Sequence, residues 1–92
     1  MELFVIIGRD GPRGQELRKV HRPAHLERLK KLTNQGKIVI AGPFTNGAGS
    51  LILTRADSLE EAKKIADEDP YVTQGIFESV EVLPFRQVFP ET

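Results

Sequence analysis

At 92 residues the chain holds one domain with a single core, and has no length for separate binding and catalytic domains. Its 13 basic and 13 acidic side chains cancel to a formal net charge of zero, so no global field selects nucleic acid, acidic lipid or another polyanion, and a small molecule fits better as partner. Cysteine is absent, which excludes disulfides, thiolate nucleophiles and cysteine-held metal and is compatible with a cytoplasmic location.

The opening MELFVIIG has an acidic residue at position 2 and an apolar run far shorter than the ~20 residues that cross a bilayer. It reads as a first strand, Leu3 to Ile7 bounded by Gly8, and not as a signal peptide or membrane helix. RDGPRGQELRKV is polar and turn-rich, which predicts a loop with no more than a short helical turn. Pro23 then supplies the backbone angle favoured at a first helical position, Ala24 to Asn34 are mostly strong helix formers, and Gly36 ends the helix. KIVIAGPF and GSLILT are the second and third strands, with Ile38, Val39 and Ile40 and then Leu51, Ile52 and Leu53 as their cores. Between them TNGAG carries Asn46-Gly47, a hairpin signal, so the two strands pair antiparallel.

Ser58 with Glu61 makes a capping box, and Leu59, Ala62, Ile65 and Ala66 follow at helical spacing. This second helix runs to about Glu68 or Asp69, where Pro70 discourages its continuation. IFESVEVLPFRQVF alternates as a fourth strand, with Pro84 marking an edge position or a bulge. The order βαββαβ predicts a ferredoxin-like α+β fold over residues 1–92, a four-stranded antiparallel sheet with two helices on one face. Helices on one face leave the other bare, and strands this apolar predict a homodimer formed through the sheets.

In that topology the start of the first helix, the end of the second and the loop between the middle strands share one end of the sheet. His25, Asp69 and the loop GPFTNGAGS become neighbours. At about 100° per residue His25 lies within about 40° of Leu29 and about 20° of Leu32, on the buried stripe. Asp69 falls on the inner stripe of the second helix with Ala62 and Ala66, if helical geometry persists that far. A carboxylate beside an imidazole fixes one tautomer, which is how a general base is oriented. A histidine on an apolar stripe is by itself more often a satisfied structural group, and an aspartate before proline more often a turn former. Their meeting beside a glycine-rich loop is what argues for a site.

Other polar residues carry less. His21 is placed outside the helix, in solvent, and Asp67 and Glu68 face outward. With no HExxH or EF-hand pattern, no metal is expected. GRDGPRG lacks the strand-loop-helix spacing of a phosphate loop and reads as flexible surface. Ser50 has no GxSxG elbow around it and is placed as a hydrogen-bond donor, not a nucleophile.

With RPAHLERL at residues 22–29, IVIAGPF at 38–44, SLEEAKKIADEDPYVTQGIFESVEVLPF at 58–85 and the start LFVII, the chain resembles the YciI-like, or YCII-related, family over nearly its whole length. That family belongs to the dimeric ferredoxin-like α+β barrels. The resemblance implies a homodimer whose pocket holds a paired histidine and aspartate, carried here by His25 in RPAHL and Asp69 in DPY. It also implies that Gly42 and Pro43 line the pocket turn and that Tyr71 is the aromatic after the aspartate and proline. The loop TNGAG at residues 45–49 is shorter than in many relatives, which bears on pocket closure. Members with a role look like lyases or isomerases of small, often aromatic-derived compounds, such as a dehydrochlorinase of a chlorinated hydroxyquinol.

The leading expectation is a cofactor-independent enzyme that moves a proton on a small cyclic or enolisable metabolite, with His25 as base and Asp69 holding it. Beside it stand a non-catalytic small-molecule-binding or accessory dimerisation domain and a purely structural pair.

Overall fold

The computed structural model describes residues 1–91. Alternation builds the sheet. In β1 (Glu2–Asp10) Phe4, Ile6 and Gly8 are buried while Leu3, Val5 and Ile7 between them are only half-buried, as a pleat with one covered face requires. The chain continues as α1 (Gly14–Asn34), β2 (Ile38–Pro43), β3 (Gly49–Ala56), α2 (Leu59–Asp67), α3 (Pro70–Thr73) and β4 (Phe77–Phe85). Sheet order is β2-β3-β1-β4, all neighbours antiparallel, which is the expected ferredoxin-like arrangement with β1 and β2 running the same way. Phe4, Ile6, Ile52 and Ala56 from the sheet meet Leu32 of α1 and Ala62, Ile65 and Ala66 of α2 to form the core. No helix among the described residues is long and apolar enough to cross a membrane.

Several local signals act as their chemistry dictates. Ser58 Oγ accepts from the Glu61 N–H at 3.1 Å, and Glu61 returns its carboxylate to the Asp57 N–H at 3.2 Å, which starts α2. Asn46 Oδ1 accepts from the Ala48 N–H at 3.0 Å and closes the β2–β3 hairpin. Pro84 lies opposite Phe4 on β4, an edge strand, where its missing N–H costs the sheet least.

Four expectations are corrected. Helix α1 begins at Gly14, not at Pro23, so the predicted loop is mostly helix and His21 sits inside it, half-buried. Pro23 is tolerated in the helix interior because the carbonyl it deprives of a partner belongs to Lys19, an exposed residue that water can serve. Val39 and Ile40 are not core: at 37% and 60% exposure they lie on an edge strand with a register shift between Ile38 and Ile40. Helix α2 stops at Asp67, and a separate short helix, α3, comes after it. Strand β4 ends at Phe85, short of Phe89.

One close approach couples the sheet to α3. Gly8 faces the helices, and a Cβ there would overlap the ring of Phe77, which stands edge-on to Tyr71 at 5.7 Å and 89°. Gly8→Ala therefore lowers stability by about 1–3 kcal/mol in a denaturant melt through overpacking. The same change alters the emission of Tyr71, the only tyrosine in a chain without tryptophan.

Candidate active site

Asp69 acts from outside any helix. Its backbone is extended, at φ −69° and ψ 133°, and Pro70 occupies the first position of α3, so the carboxylate is free to cap that helix. Oδ1 accepts the Tyr71 N–H at 2.8 Å. The same oxygen receives His25 Nδ1 at 2.8 Å. At 3% and 7% exposure, Asp69 and His25 are both shut away from bulk water. A carboxylate has only lone pairs to offer, so the proton between the pair belongs on Nδ1, and in the neutral ring that tautomer makes Nε2 the acceptor. Beyond Thr73 the chain reverses at Gly75, whose φ of 74° suits a glycine, and the fully buried Ile76 returns its N–H to the Tyr71 carbonyl at 3.0 Å. A four-residue helix is thus pinned at both ends, and Tyr71 with it.

The Tyr71 ring stacks on the His25 ring with centroids 3.8 Å apart and planes 6° from parallel. Burial pushes the Tyr71 hydroxyl above its ordinary pKa of 10.0, and the positive charges of Arg18 and Arg22 oppose that rise without cancelling it. The phenol therefore stays protonated and can donate through neutral pH.

Behind the ring lies a network that the sequence reading set aside. Arg18 Nε and Nη2 each donate to an Asp10 carboxylate oxygen at 2.7 Å, and Nη2 also donates to Ser50 Oγ at 2.9 Å. The guanidinium carbon stands 4.9 Å from the Tyr71 centroid and 5.7 Å from that of Phe77. Gly14 is buried against Asp10, and a Cβ added there would stand 2.7 Å from both Cβ and Oδ2 of Asp10, so no side chain fits. The segment GRDGPRG is consequently no flexible surface loop: it sets the first turn of α1 against Asp10.

These groups open on a cleft of about 430 Å³ between α1 and the β2–β3 hairpin, lined by Arg18, Arg22, His25, Gly42, Pro43, Ser50 and Tyr71 among others. All the sequence-predicted residues but Asp69 line it, and Asp69 lies behind His25. Two reasons for the meeting are revised. His25 comes from the middle of α1, and Asp69 reaches inward as a cap and not along the stripe of α2. Ser50 accepts from Arg18, which the donor role did not foresee. Arg18, Asp10 and Phe77 were missed, although Arg18, Arg22, His25 and Leu29 share one helical stripe once α1 is extended upstream. A larger, more open groove of about 750 Å³ at the Met1 and Pro84 end of the sheet is lined by no buried ionisable side chain, whereas the smaller cleft is lined by buried His25.

A four-stranded antiparallel sheet in the order β2-β3-β1-β4, with helices packed on one face, places the protein among ferredoxin-like α+β folds. The chain belongs to the YCII-related family, whose domain model matches residues 2–86. It is 39% identical to protein YciI of Escherichia coli, over 95% of this chain and 99% of that protein. It is 35% identical to an uncharacterised protein of Haemophilus influenzae, over 94% and 98% of the two chains. Among solved structures it is similar to 5-chloro-2-hydroxyhydroquinone dehydrochlorinase from Burkholderia phenoliruptrix in complex with 2,5-dihydroxybenzoquinone, with a TM-score of 0.82, 26% identity and coverage of 92% and 94%.

Because the folded chain holds Tyr71 protonated more tightly than the unfolded one, stability falls as pH rises through 10.0 toward the raised folded value. Ultraviolet titration of the single tyrosine checks this: its ionisation in the folded protein occurs at higher pH than in the urea-unfolded chain.

Proposed function

We propose that the cleft is the active site of a small cofactor-independent enzyme, a lyase or isomerase that transfers a proton on a small cyclic or enolisable compound. The observation that carries this reading is the buried 2.8 Å bond from His25 Nδ1 to Asp69, which in the neutral imidazole selects Nε2 as the base of a ring that lines the cleft. His25 Nε2 removes a proton from a substrate carbon, and the electron pair left behind forms a double bond. Asp69 keeps the ring in the productive tautomer and offsets the imidazolium charge until the proton leaves. In an elimination, a leaving group departs with its bonding pair on the neighbouring carbon; in an isomerisation, the proton returns elsewhere. Neither path calls on metal or redox chemistry. Gly42, Pro43, Ser50 and Tyr71 shape the space for the substrate. Similarity to an enzyme named a dehydrochlorinase and solved with a small quinone supports both the reaction class and the size of ligand.

His25→Gln lowers turnover by about 10²- to 10⁴-fold, the usual contribution of a positioned base, while 2,5-dihydroxybenzoquinone still binds in calorimetry. Loss of binding with no turnover to lose would instead favour a binding protein, a reading that the full stacking of His25 on Tyr71 also accommodates.

The working unit in this proposal is a homodimer. The sheet face away from the helices presents Val5, Ile7, Ile40, Leu53, Leu83 and Phe85, of which Ile40, Leu83 and Phe85 are 60%, 46% and 48% exposed. A continuous apolar face of this kind calls for a cover, and a second copy supplies one of matching shape. Sedimentation equilibrium checks it: the native protein runs at twice the chain mass and Leu83→Arg runs as monomer.

A further inference from the structure

The cleft holds more positive charge than the proposed base requires. Arg18, Lys19 and Arg22 line it, no acidic side chain does, and this excess is local because the chain as a whole is neutral. The two nearest carboxylates stand behind the wall, Asp10 bonded to Arg18 and Asp69 to His25. Asp10 and Ser50 use the Nε and Nη2 hydrogens of Arg18. Nη1 has no partner at hydrogen-bond distance among the described residues, the Tyr71 hydroxyl being the polar group that interacts with the guanidinium, so a firmly held Arg18 brings N–H groups to a cleft it lines. Ser50 is 5% exposed, and since its oxygen accepts from Arg18 its hydrogen is directed elsewhere. Arg18 and His25 are packed on the same tyrosine ring, at 4.9 and 3.8 Å from its centre. Both residues also line the one cleft.

We infer that Arg18 is a second catalytic group: its Nη1, with the Ser50 hydroxyl, receives the oxyanion of a planar cyclic enolate or phenolate formed when His25 takes the neighbouring carbon-bound proton. This rests on the reading of His25 as the base. As the C–H bond breaks, its electron pair moves into the ring and negative charge gathers on the ring oxygen, while the proton goes to Nε2. A fixed cation at that oxygen stabilises the charged state without having to reorganise, which is where donors of this kind act most strongly. Asp10 is the positioning residue, since its bidentate grip on Nε and Nη2 leaves Nη1 on the side away from the carboxylate. Lys19 and Arg22 draw the anion in. The substrate class set by this arrangement is a planar ring carrying a carbonyl or phenolic oxygen next to the reacting carbon.

4-Nitrophenol tests this on the intact protein, because its phenolate absorbs in the visible and mimics the enolate, and 4-nitroanisole is its neutral counterpart. The expected result is that the native protein binds the phenolate at least about tenfold more tightly than 4-nitroanisole and increases the ionised fraction at fixed pH. Ser50→Ala reduces that preference by about tenfold, and the charge-balanced pair Asp10→Asn with Arg18→Gln abolishes it while 4-nitroanisole binding persists. Removing both charges together avoids leaving a carboxylate buried without its partner, so the variant remains folded for the measurement. A preference unchanged in the double variant overturns the role of Arg18 and leaves the base reading standing. Failure of the native protein to bind either compound overturns both.

Discussion

A single carboxylate oxygen ties the structure together. Asp69 Oδ1 accepts the Tyr71 N–H and His25 Nδ1, each at 2.8 Å, so one atom begins a helix and holds a ring on another. Local and tertiary demands are met by the same acceptor. The cap fixes where Tyr71 emerges, the Tyr71 ring then covers His25 at 3.8 Å, and Phe77 braces Tyr71 from the sheet. With both bonds buried, a lost partner leaves an unsatisfied polar group of the kind that costs about 1–3 kcal/mol. The geometry at His25 is therefore held by folding energy and needs no ligand to assemble it.

A part-buried ion pair works in parallel. Asp10 at the end of β1 grips Arg18 in α1 through two 2.7 Å bonds, and Arg18 reaches on to Ser50 in β3. Strand, helix and strand are thereby joined at one end of the sheet, the end where the cleft opens. Burying a pair of this kind costs desolvation that its attraction only roughly repays, so its value lies less in stability than in where it holds a guanidinium. The Asp69–His25 and Asp10–Arg18 pairs share a plan: a carboxylate behind the wall aims a nitrogen-bearing side chain at the cleft.

The strand β1, the hairpin signal at Asn46-Gly47, the Ser58–Glu61 cap and the edge position of Pro84 were legible because each depends on neighbours in the chain, whereas of the expected β3 core only Ile52 is buried and Leu51 and Leu53 lie half-buried on the opposite face. Pro23 was misread for an instructive reason. Proline marks helix starts on average, but the cost of placing it inside a helix depends on whether the freed carbonyl meets water, and that is decided by which face of α1 is exposed. With the helix begun too late, Arg18 fell into a supposed loop and the stripe that runs through Arg22 to His25 was not seen. Val39 and Ile40 have the composition of core residues, but composition does not say that β2 lies at the sheet edge, where they are exposed.

By itself the sequence determined the βαββαβ order of the main elements and the antiparallel sheet that this order implies, and it offered His25 and Asp69 as candidates without showing α3. These come from hydrophobic periodicity, capping chemistry and turn residues, all of which act over a few positions. Only the tertiary structure decided how the pair meets. His25 lies 44 positions from Asp69, and no local rule says that the aspartate arrives as the cap of a separate short helix. The same holds for Arg18, bonded to groups 8 and 32 positions away, whose role exists only once β1, α1 and β3 have packed. A bond between distant side chains is set by the path of the backbone between them, and that path is a property of the whole fold.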